Sequence, residues 1–191
     1  GVFEGIRCYE TENGPAIFRL DAHLDRFKAG ANALAMPVDV SALGCAALAL
    51  LEKNGHTSAY IRPISYYESG GLGLDVAPLK QRSVVATMPW TSHLGEAVHN
   101  AGVSLRTSPY RRTPASSVPP LKLCGNYVNS ILAKLEASRA GYDEALFVDD
   151  AGYVCEATGE NVFMVNAGRV VAVEHRDALP GITRDTVIEL T

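Results

Sequence analysis

The sequence lacks several features that mark common protein classes. Its net charge is only −4, from 17 basic and 21 acidic residues, and no long block of one sign is present. Nucleic acid and anionic membrane surfaces are therefore not expected as partners. The longest purely apolar run, Cys45 to Leu51, is too short to cross a bilayer. No signal-peptide pattern opens the chain. These absences predict a cytoplasmic protein.

Cysteine pairs and nucleotide-binding motifs are also missing. The four cysteines are far apart and form no C-x-x-C pair, which argues against a zinc site and against a secreted disulfide framework. We expect no metal. Neither a G-x-G-x-x-G motif nor a Walker loop occurs. What is present is a 191-residue chain with 47% apolar and 20% charged residues, which is enough to build a buried core.

The pattern of elements predicts an α+β fold with two domains. We expect a small α+β domain over 1–88, a linker over 89–101 that has no clear period, and a larger domain over 102–191. Strand-like residues begin at Gly1, and a helical pattern is still running at Thr191. Because domains usually end their elements with caps or turns, we expect an internal portion of a longer chain, incomplete at both ends.

The small domain is predicted to contain a hairpin, two helices and two further strands. Asp21 is the expected cap of the first helix, and Ser41 opens the second, which Asn54-Gly55 closes. The next strand runs from Ala59 to Tyr67, and Pro63 within it predicts an edge or a bulge. A glycine-rich loop and a strand over 83–88 follow.

The larger domain is predicted to combine one long helix with consecutive strands. A strand over 102–106 is followed by a proline-rich loop and an amphipathic helix over 126–140 that ends at Gly141. Four strand-like runs come next, with turn residues between them, over 144–148, 153–158, 161–165 and 170–173. This succession predicts an antiparallel meander rather than alternating βαβ units.

Among the five lysines, Lys122 has the most apolar surroundings, in Pro119-Pro120-Leu121-Lys122-Leu123. A desolvated lysine has a lowered pKa and can act as a Schiff-base nucleophile. A lysine that extends from a loop to solvent is the commoner case. Gly125 and Tyr127 nearby favour the functional interpretation.

Two further segments could serve a cofactor. Glu156 and Glu160 lie between apolar strands, and a buried carboxylate needs a cationic partner, either a pyridinium nitrogen or an arginine. Pro180-Gly181-Ile182-Thr183 leads into a helix, whose free N–H groups bind phosphate well, although Thr183 could also be an ordinary helix cap. Arg26, on the first helix, would by itself be a solvated charge.

Six such segments, in order and covering essentially the whole chain, resemble the fold-type IV (class IV) pyridoxal-phosphate aminotransferases, with the branched-chain branch as the most similar. The segments are Val2–Tyr9, Phe18–Arg26, Ala59–Pro63, Lys122–Tyr127, Glu156–Asn161 and Leu179–Asp185. The resemblance implies pyridoxal 5′-phosphate as the cofactor and a two-domain fold of the D-amino acid aminotransferase type. It also implies a homodimer or higher homo-oligomer that acts on small amino acids and 2-oxo acids.

The resemblance implies a role for each site residue. Lys122 would be the catalytic lysine that attaches the cofactor. Tyr127 would bind the cofactor's phenolic oxygen, and Glu156 its ring nitrogen. Arg26, Ile182 and Thr183 would bind the phosphate, with Leu179 near the ring. The substrate would meet Phe3, Gly5, Arg7, Tyr60, Arg62, Leu74 and Trp90. Arg62 would take the distal carboxylate of glutamate, and the Gly71-Leu72-Gly73-Leu74 loop would reach the partner subunit's pocket.

The activity implied is amino-group transfer between leucine, isoleucine or valine and 2-oxoglutarate, as in branched-chain amino-acid biosynthesis. D-amino acid transaminases, (R)-amine transaminases and aminodeoxychorismate lyases share the fold and remain alternatives, as does an inactive or structural fragment. Phe3-Glu4-Gly5 and Tyr60-Ile61-Arg62-Pro63 favour the branched-chain branch. His93 and Cys124 depart from the family pattern, and an N-terminal active-site tyrosine and a C-terminal Gly-Thr-Ala loop are absent from these residues.

Overall fold

The computed structural model describes residues 1–90 and 101–191, which group into two compact units. The first unit holds the described residues up to 90 together with Lys122–Cys124, and the second holds 101–121 and Gly125–Thr191. Most of the expected linker, with His93, lies outside the described residues. The domain boundaries stay a prediction. No helix in the described ranges is long and apolar enough to cross a membrane.

The first unit is a five-stranded antiparallel sheet with two helices. Strand β4 is central: it pairs with β5 on one side and with β1 and β2 on the other, and β3 pairs with β2. The elements are β1 (Val2–Phe3), β2 (Ile6–Thr11), β3 (Gly14–Ile17), α1 (Leu20–Ala33), α2 (Val40–Asn54), β4 (Ala59–Ser69) and β5 (Lys80–Pro89). The predicted hairpin is confirmed as β2–β3.

Helix starts differ from the prediction in the first unit. The residue before α1 is Arg19, in the left-handed region with φ 45°, and no side chain caps the helix. Asp21 lies instead in the first turn, where a negative charge interacts favourably with the helix dipole. Helix α2 begins one residue before Ser41, because the Asp39 side chain accepts from Ala42 N at 2.9 Å. Its predicted end is confirmed, with Gly55 left-handed at φ 65°.

The expectation of an edge or bulge at Pro63 is wrong. Pro63 lies in the central strand and pairs in register with Val85 of β5. Its carbonyl accepts from Glu4 N at 3.0 Å, but proline has no N–H to return to Glu4. The hydrogen bond that Pro63 cannot donate is therefore missing opposite Glu4-Gly5, in the gap between the end of β1 and the start of β2.

Alternation along β2 and β4 sends one set of side chains into the core. Ile6 and Cys8 pack with Ala59 and Ile61 against α2, and the cluster is completed by Ala47 and Leu51. Because successive strand residues point to opposite faces, the residues between them point to the other side of the sheet. That second face carries most of the predicted substrate residues.

Lys122–Cys124 joins the first unit through backbone contacts with its N-terminal strand. Phe3 N donates to the Lys122 carbonyl at 3.2 Å, and Cys124 N donates to the Gly1 carbonyl at 2.8 Å. Leu123 forms a β-bridge with Val2. The sequence pattern placed this segment in the larger domain. Its contacts with the first unit join residues more than one hundred positions apart, and a local pattern does not show them.

The second unit has a three-stranded sheet, a two-stranded sheet and two helices. Its elements are β6 (Leu105–Thr107), α3 (Asn126–Arg139), β7 (Glu144–Val148), β8 (Val154–Ala157), β9 (Phe163–Asn166), β10 (Arg169–Ala172) and α4 (Ile182–Leu190). Strand β7 pairs antiparallel with β8 and parallel with β6, whereas β9 and β10 pair only with each other in the described structure.

The α+β class is therefore confirmed, but the meander is two separate antiparallel pairs and one strand is parallel. Strands β6 and β7 are parallel because α3 forms the crossover between them. Strands β8 and β9 separate after a tight turn, in which Ala157 N donates to the Glu160 carbonyl at 2.8 Å. Alanines keep α3 close to the sheet, and the core there consists of Ala133, Ala137, Ala145, Phe147 and Cys155.

Candidate active site

The non-core face of the first sheet brings five predicted substrate residues together. Phe3, Gly5 and Arg7 alternate along the first strands, and Arg7 is directly opposite Tyr60 in the β2–β4 register. Arg62, two residues beyond Tyr60, shares its face. The result is a surface of arginine and aromatic side chains on the sheet.

Gly5 provides the space in which Tyr60 lies. A Cβ atom on Gly5 would overlap the Tyr60 hydroxyl oxygen and would be only 2.9 Å from Cζ. The phenol ring thus crosses directly over the glycine backbone. Tyr60 accepts a hydrogen bond from Arg62 Nη2 at 2.5 Å, and its ring is 5.2 Å from that of Trp90. Any side chain at position 5 would displace this arrangement.

Two arginines on this face have unused hydrogen-bond capacity. The Nε atoms of Arg7 and Arg62 are buried and have no partner among the described residues. Arg7 Nη2 donates to the Trp90 carbonyl at 3.1 Å, and the Arg62 guanidinium lies 4.6 Å from the centre of the Phe3 ring. Buried donors without an acceptor are unfavourable, so these guanidinium groups are suited to an anionic or carbonyl ligand.

Arg26 is held in a buried cluster rather than solvated. Its Nε and Nη2 atoms donate to the two carboxylate oxygens of Glu4, at 2.6 and 2.8 Å. His23 Nδ1 is 2.8 Å from Glu4 Oε2. Glu4 and His23 lie within two of the six segments, but the resemblance gave neither of them a role. The available signal for Glu4 was its position between Phe3 and Gly5, two residues of the predicted substrate face.

Glu4 is ionised in this cluster. Burial tends to raise the pKa of its carboxyl group, but hydrogen bonds from His23 and Arg26 and the positive charges of Arg26 and Lys122 lower the pKa below its usual range. An ionised carboxylate only accepts hydrogen bonds, so His23 Nδ1 carries the proton of their shared bond. Glu4 is therefore a fixed negative charge within the first unit.

Lys122 is beside this cluster in the same unit. Its Nζ atom is 5.2 Å from the centre of the Phe3 ring, and its backbone carbonyl accepts from Phe3 N. The charge of Lys122 also acts on Glu4. The structure thus places the predicted nucleophile with Phe3, Glu4 and Arg26, although Lys122 is about one hundred residues away along the chain.

In the second unit, Glu156 lies on β8 and has an arginine partner that the sequence analysis did not identify. Arg112 Nε donates to Glu156 Oε1 at 2.7 Å, and the two side chains are 7% and 8% exposed. Glu156 Oε2 accepts from Leu179 N at 2.9 Å. Arg112 is in the proline-rich loop, where no periodic pattern marks a buried position. Of the two cationic partners expected for Glu156, a pyridinium nitrogen or an arginine, the structure shows the arginine.

Asn161 connects Glu156 with the turn before α4. Its amide donates to the Leu179 carbonyl at 3.0 Å and, over 3.5 Å, to Glu156 Oε2. A Cβ atom on Gly181 would overlap Asn161 Oδ1, so any side chain at that position would displace Asn161. Asn161 ends the Glu156–Asn161 segment of the resemblance, but it had no role assigned from the sequence.

The start of α4 corrects one expectation. The residue before the helix is Gly181, and no side chain caps it, so Thr183 is not the helix cap. Thr183 is exposed and Ile182 is buried, both in the first turn. Backbone N–H groups at such an uncapped start suit an anion.

The remaining predicted residues are also placed. Tyr127 is half-buried in the first turn of α3, in the second unit. Leu74 is in the loop between β4 and β5 and is 99% exposed. Leu72, in the same loop, is 106% exposed. Leu74 therefore does not join the arginine–aromatic face of its own chain.

Comparison with known proteins identifies the family. The whole chain, residues 1–191, matches the family described as Amino-transferase class IV. The chain belongs to the class IV aminotransferases. This confirms the resemblance stated from the six segments, and with it the fold.

Relatives within the class IV aminotransferases share much of the sequence. A branched-chain-amino-acid aminotransferase of Pseudomonas aeruginosa is 40% identical over 193 residues, covering 100% of this chain and 63% of the relative. The solved structure of the Escherichia coli branched-chain amino acid aminotransferase has a TM-score of 0.92 at 37% identity, covering 99% of this chain and 64% of that one. The Thermobaculum terrenum branched-chain amino acid aminotransferase, solved in its PLP form, has a TM-score of 0.88 at 34% identity, with coverage of 99% and 63%.

The chain thus spans less than two thirds of the length of these relatives. Each of these three relatives is named a branched-chain amino acid aminotransferase.

Proposed function

We propose that this chain is the greater part of a pyridoxal-phosphate aminotransferase that transfers amino groups between branched-chain L-amino acids and 2-oxoglutarate. The observation that carries the proposal is the single face of the first sheet on which two arginines with unpartnered Nε atoms lie among aromatic rings, with Lys122 in the same unit. The branched-chain names of the relatives support the choice of substrate.

The residues present fit the cofactor. A phosphorylated pyridine aldehyde needs an amine, a phosphate site and an acidic partner for its ring nitrogen. Lys122 supplies the amine, Arg26 and the uncapped start of α4 supply positive charge and N–H donors, and Glu156 supplies the buried carboxylate. When bound, the pyridinium ring withdraws electrons from the substrate's Cα.

Each of these residues has a proposed task. Lys122 attaches the cofactor and then carries the proton that leaves and returns at the substrate. Tyr127 binds the ring's phenolic oxygen, and Glu156, held by Arg112, keeps the ring nitrogen protonated. The phosphate is bound by Arg26, Ile182 and Thr183, with Leu179 packed near the ring.

One substrate pocket must accept both an aliphatic side chain and the distal carboxylate of glutamate. Phe3, Tyr60 and Trp90 offer apolar ring surface for leucine. Arg62, already oriented by Tyr60 at 2.5 Å, offers its guanidinium to the carboxylate. A buried carboxylate needs such a cation, whereas an aliphatic side chain does not compete for it. Arg7 and Gly5 complete this side of the pocket.

A homodimer or higher homo-oligomer is part of the proposal. Leu72 and Leu74 are fully exposed in the loop after β4, and large apolar side chains in that state are suited to contact with another subunit. We propose that Leu74 reaches the pocket of the partner.

The proposed function is tested by amino-group transfer to 2-oxoglutarate from L-leucine, D-alanine and 1-phenylethylamine in parallel. We expect transfer from L-leucine and little from the other two. Lys122→Ala should abolish it, and Lys28→Ala, on the exposed side of α1, is the matched control. Preferential use of D-alanine or of the amine would assign a different member of the fold, and the absence of all transfer would support a structural fragment.

A further inference from the structure

Glu4 is a fully buried charged side chain of the first unit that lies outside its core cluster. It is 0% exposed, and both of its oxygens are used by Arg26 and His23. Burying a carboxylate costs free energy that only well-placed partners recover. Apolar residues in place of a buried ion pair are often as stabilising or more so, and the charge itself therefore calls for an explanation.

The contact between Glu4 and Arg26 fixes the orientation of the Arg26 guanidinium group. An arginine whose Nε and Nη2 both bind one carboxylate has its guanidinium plane and its rotamer set by that bidentate pair. Glu4 cannot rotate to follow other partners, because His23 holds Oε2 at 2.8 Å. The chain of contacts therefore runs from His23 through Glu4 to Arg26, each group orienting the next.

We propose that Glu4, held by His23, is a positioning residue that aims Arg26 at the cofactor's phosphate group. The inference rests on the proposed function. It assigns a task to two side chains to which the proposed function gives none. Residues that orient metal ligands from behind change metal affinity by about tenfold or more, and a loosened guanidinium must likewise be re-ordered each time its ligand binds.

The test compares two probes that differ only in phosphate: pyridoxal 5′-phosphate and pyridoxal, each titrated into cofactor-stripped protein. In Glu4→Gln, we expect affinity for the phosphorylated probe to fall by about tenfold or more, and affinity for pyridoxal to change by less than about threefold. Glu144→Gln is the matched control, since Glu144 is a buried carboxylate paired with Lys134 at 2.8 Å in the second unit. That variant should preserve the affinity ratio of the two probes.

A second pair of variants tests the chain of contacts if Glu4→Gln does not fold. His23→Asn retains a donor near the Nδ1 position, and His23→Leu removes it. We expect the leucine variant to lose phosphate discrimination and the asparagine variant to restore most of it. Equal losses for both probes, or an unchanged ratio in His23→Leu, would overturn the proposal. Failure of the unmodified protein to bind either probe would contradict the proposed function instead, so the two failures can be told apart.

Discussion

Arg112 and Glu156 form a buried ion pair that links the proline-rich loop to strand β8, with 2.7 Å between Nε and Oε1. Removing one partner of such a pair leaves an uncompensated charge and costs about 3–5 kcal/mol. The pair therefore fixes the Glu156 carboxylate before any ligand arrives. Asn161 and the Leu179 N–H hold its other oxygen.

Glu156→Gln tests the role assigned to this carboxylate. We expect abstraction of the substrate's Cα proton to slow by on the order of 100-fold, because a neutral amide cannot keep the ring nitrogen protonated. The measurement is the single-turnover rate with α-deuterated and ordinary leucine. Glu160→Gln is the control, since Glu160 is exposed and its carboxylate accepts from the neighbouring Gly159 N–H. Normal kinetics in Glu156→Gln with slow kinetics in Glu160→Gln would reverse the assignment.

Gly5→Ala should damage the substrate face without a change of charge. The added methyl group would overlap the Tyr60 hydroxyl, so the ring must move and its bond to Arg62 must break or lengthen. A displacement of about 1 Å can lower kcat/KM by about 100-fold. Gly159→Ala meets no atom within 4 Å and has no left-handed backbone, so it should be nearly neutral. A Gly5→Ala variant with normal kcat/KM for leucine would show that Tyr60 does not contact substrate.

Arg62→Met separates the two substrates of the proposed pocket. We expect KM for 2-oxoglutarate to rise by at least about 30-fold, since a carboxylate would lose a buried partner worth about 2 kcal/mol or more. The leucine half-reaction should stay within a few-fold. Single-turnover measurements of the two half-reactions distinguish the results, with Arg82→Met on the exposed edge of β5 as control. Equal loss in both half-reactions would make Arg62 a structural residue.

Cys155 should be unreactive in the folded protein. Burial, together with the negative charges of Asp149, Asp177 and Glu156, raises its pKa to about 12. At pH 8 only about one thiol in ten thousand is then the reactive thiolate. In a variant in which serine replaces Cys45 and Cys124, we expect no thiol labelling at pH 8 until denaturant is added, because burial also raises the pKa of Cys8. Rapid labelling of Cys155 in native protein would contradict the packing of β8 on α3.

The sequence predicted most elements of both units because local signals agreed with the final structure. The β2–β3 hairpin and the end of α2 at Gly55 follow from turn residues and left-handed glycine. The wrong predictions came from local signals that tertiary contacts overrode. Pro63 occupies a central strand because the position of its absent N–H coincides with the break at Glu4-Gly5.

For the site, the side chains proposed to bind ligands could be selected from sequence motifs, and the partners that hold them could not. Lys122 and Glu156 stand out as charged residues among apolar neighbours. Arg112 and His23 are ordinary polar residues until the fold brings them within 2.7 and 2.8 Å of a buried carboxylate. Contacts of that kind depend on chain segments 44 and 19 residues apart, and spacing along one sequence does not reveal them.

The central claim is that Lys122 attaches the cofactor. Reduction of the cofactor-loaded protein with borohydride, followed by peptide mapping, tests it directly, because the reduced bond is stable and marks one lysine among five. We predict that the pyridoxyl label is found on the peptide that contains Lys122 and is lost in Lys122→Ala. A label on Lys134 or any other lysine, or loaded protein that retains no label after reduction, would contradict the account.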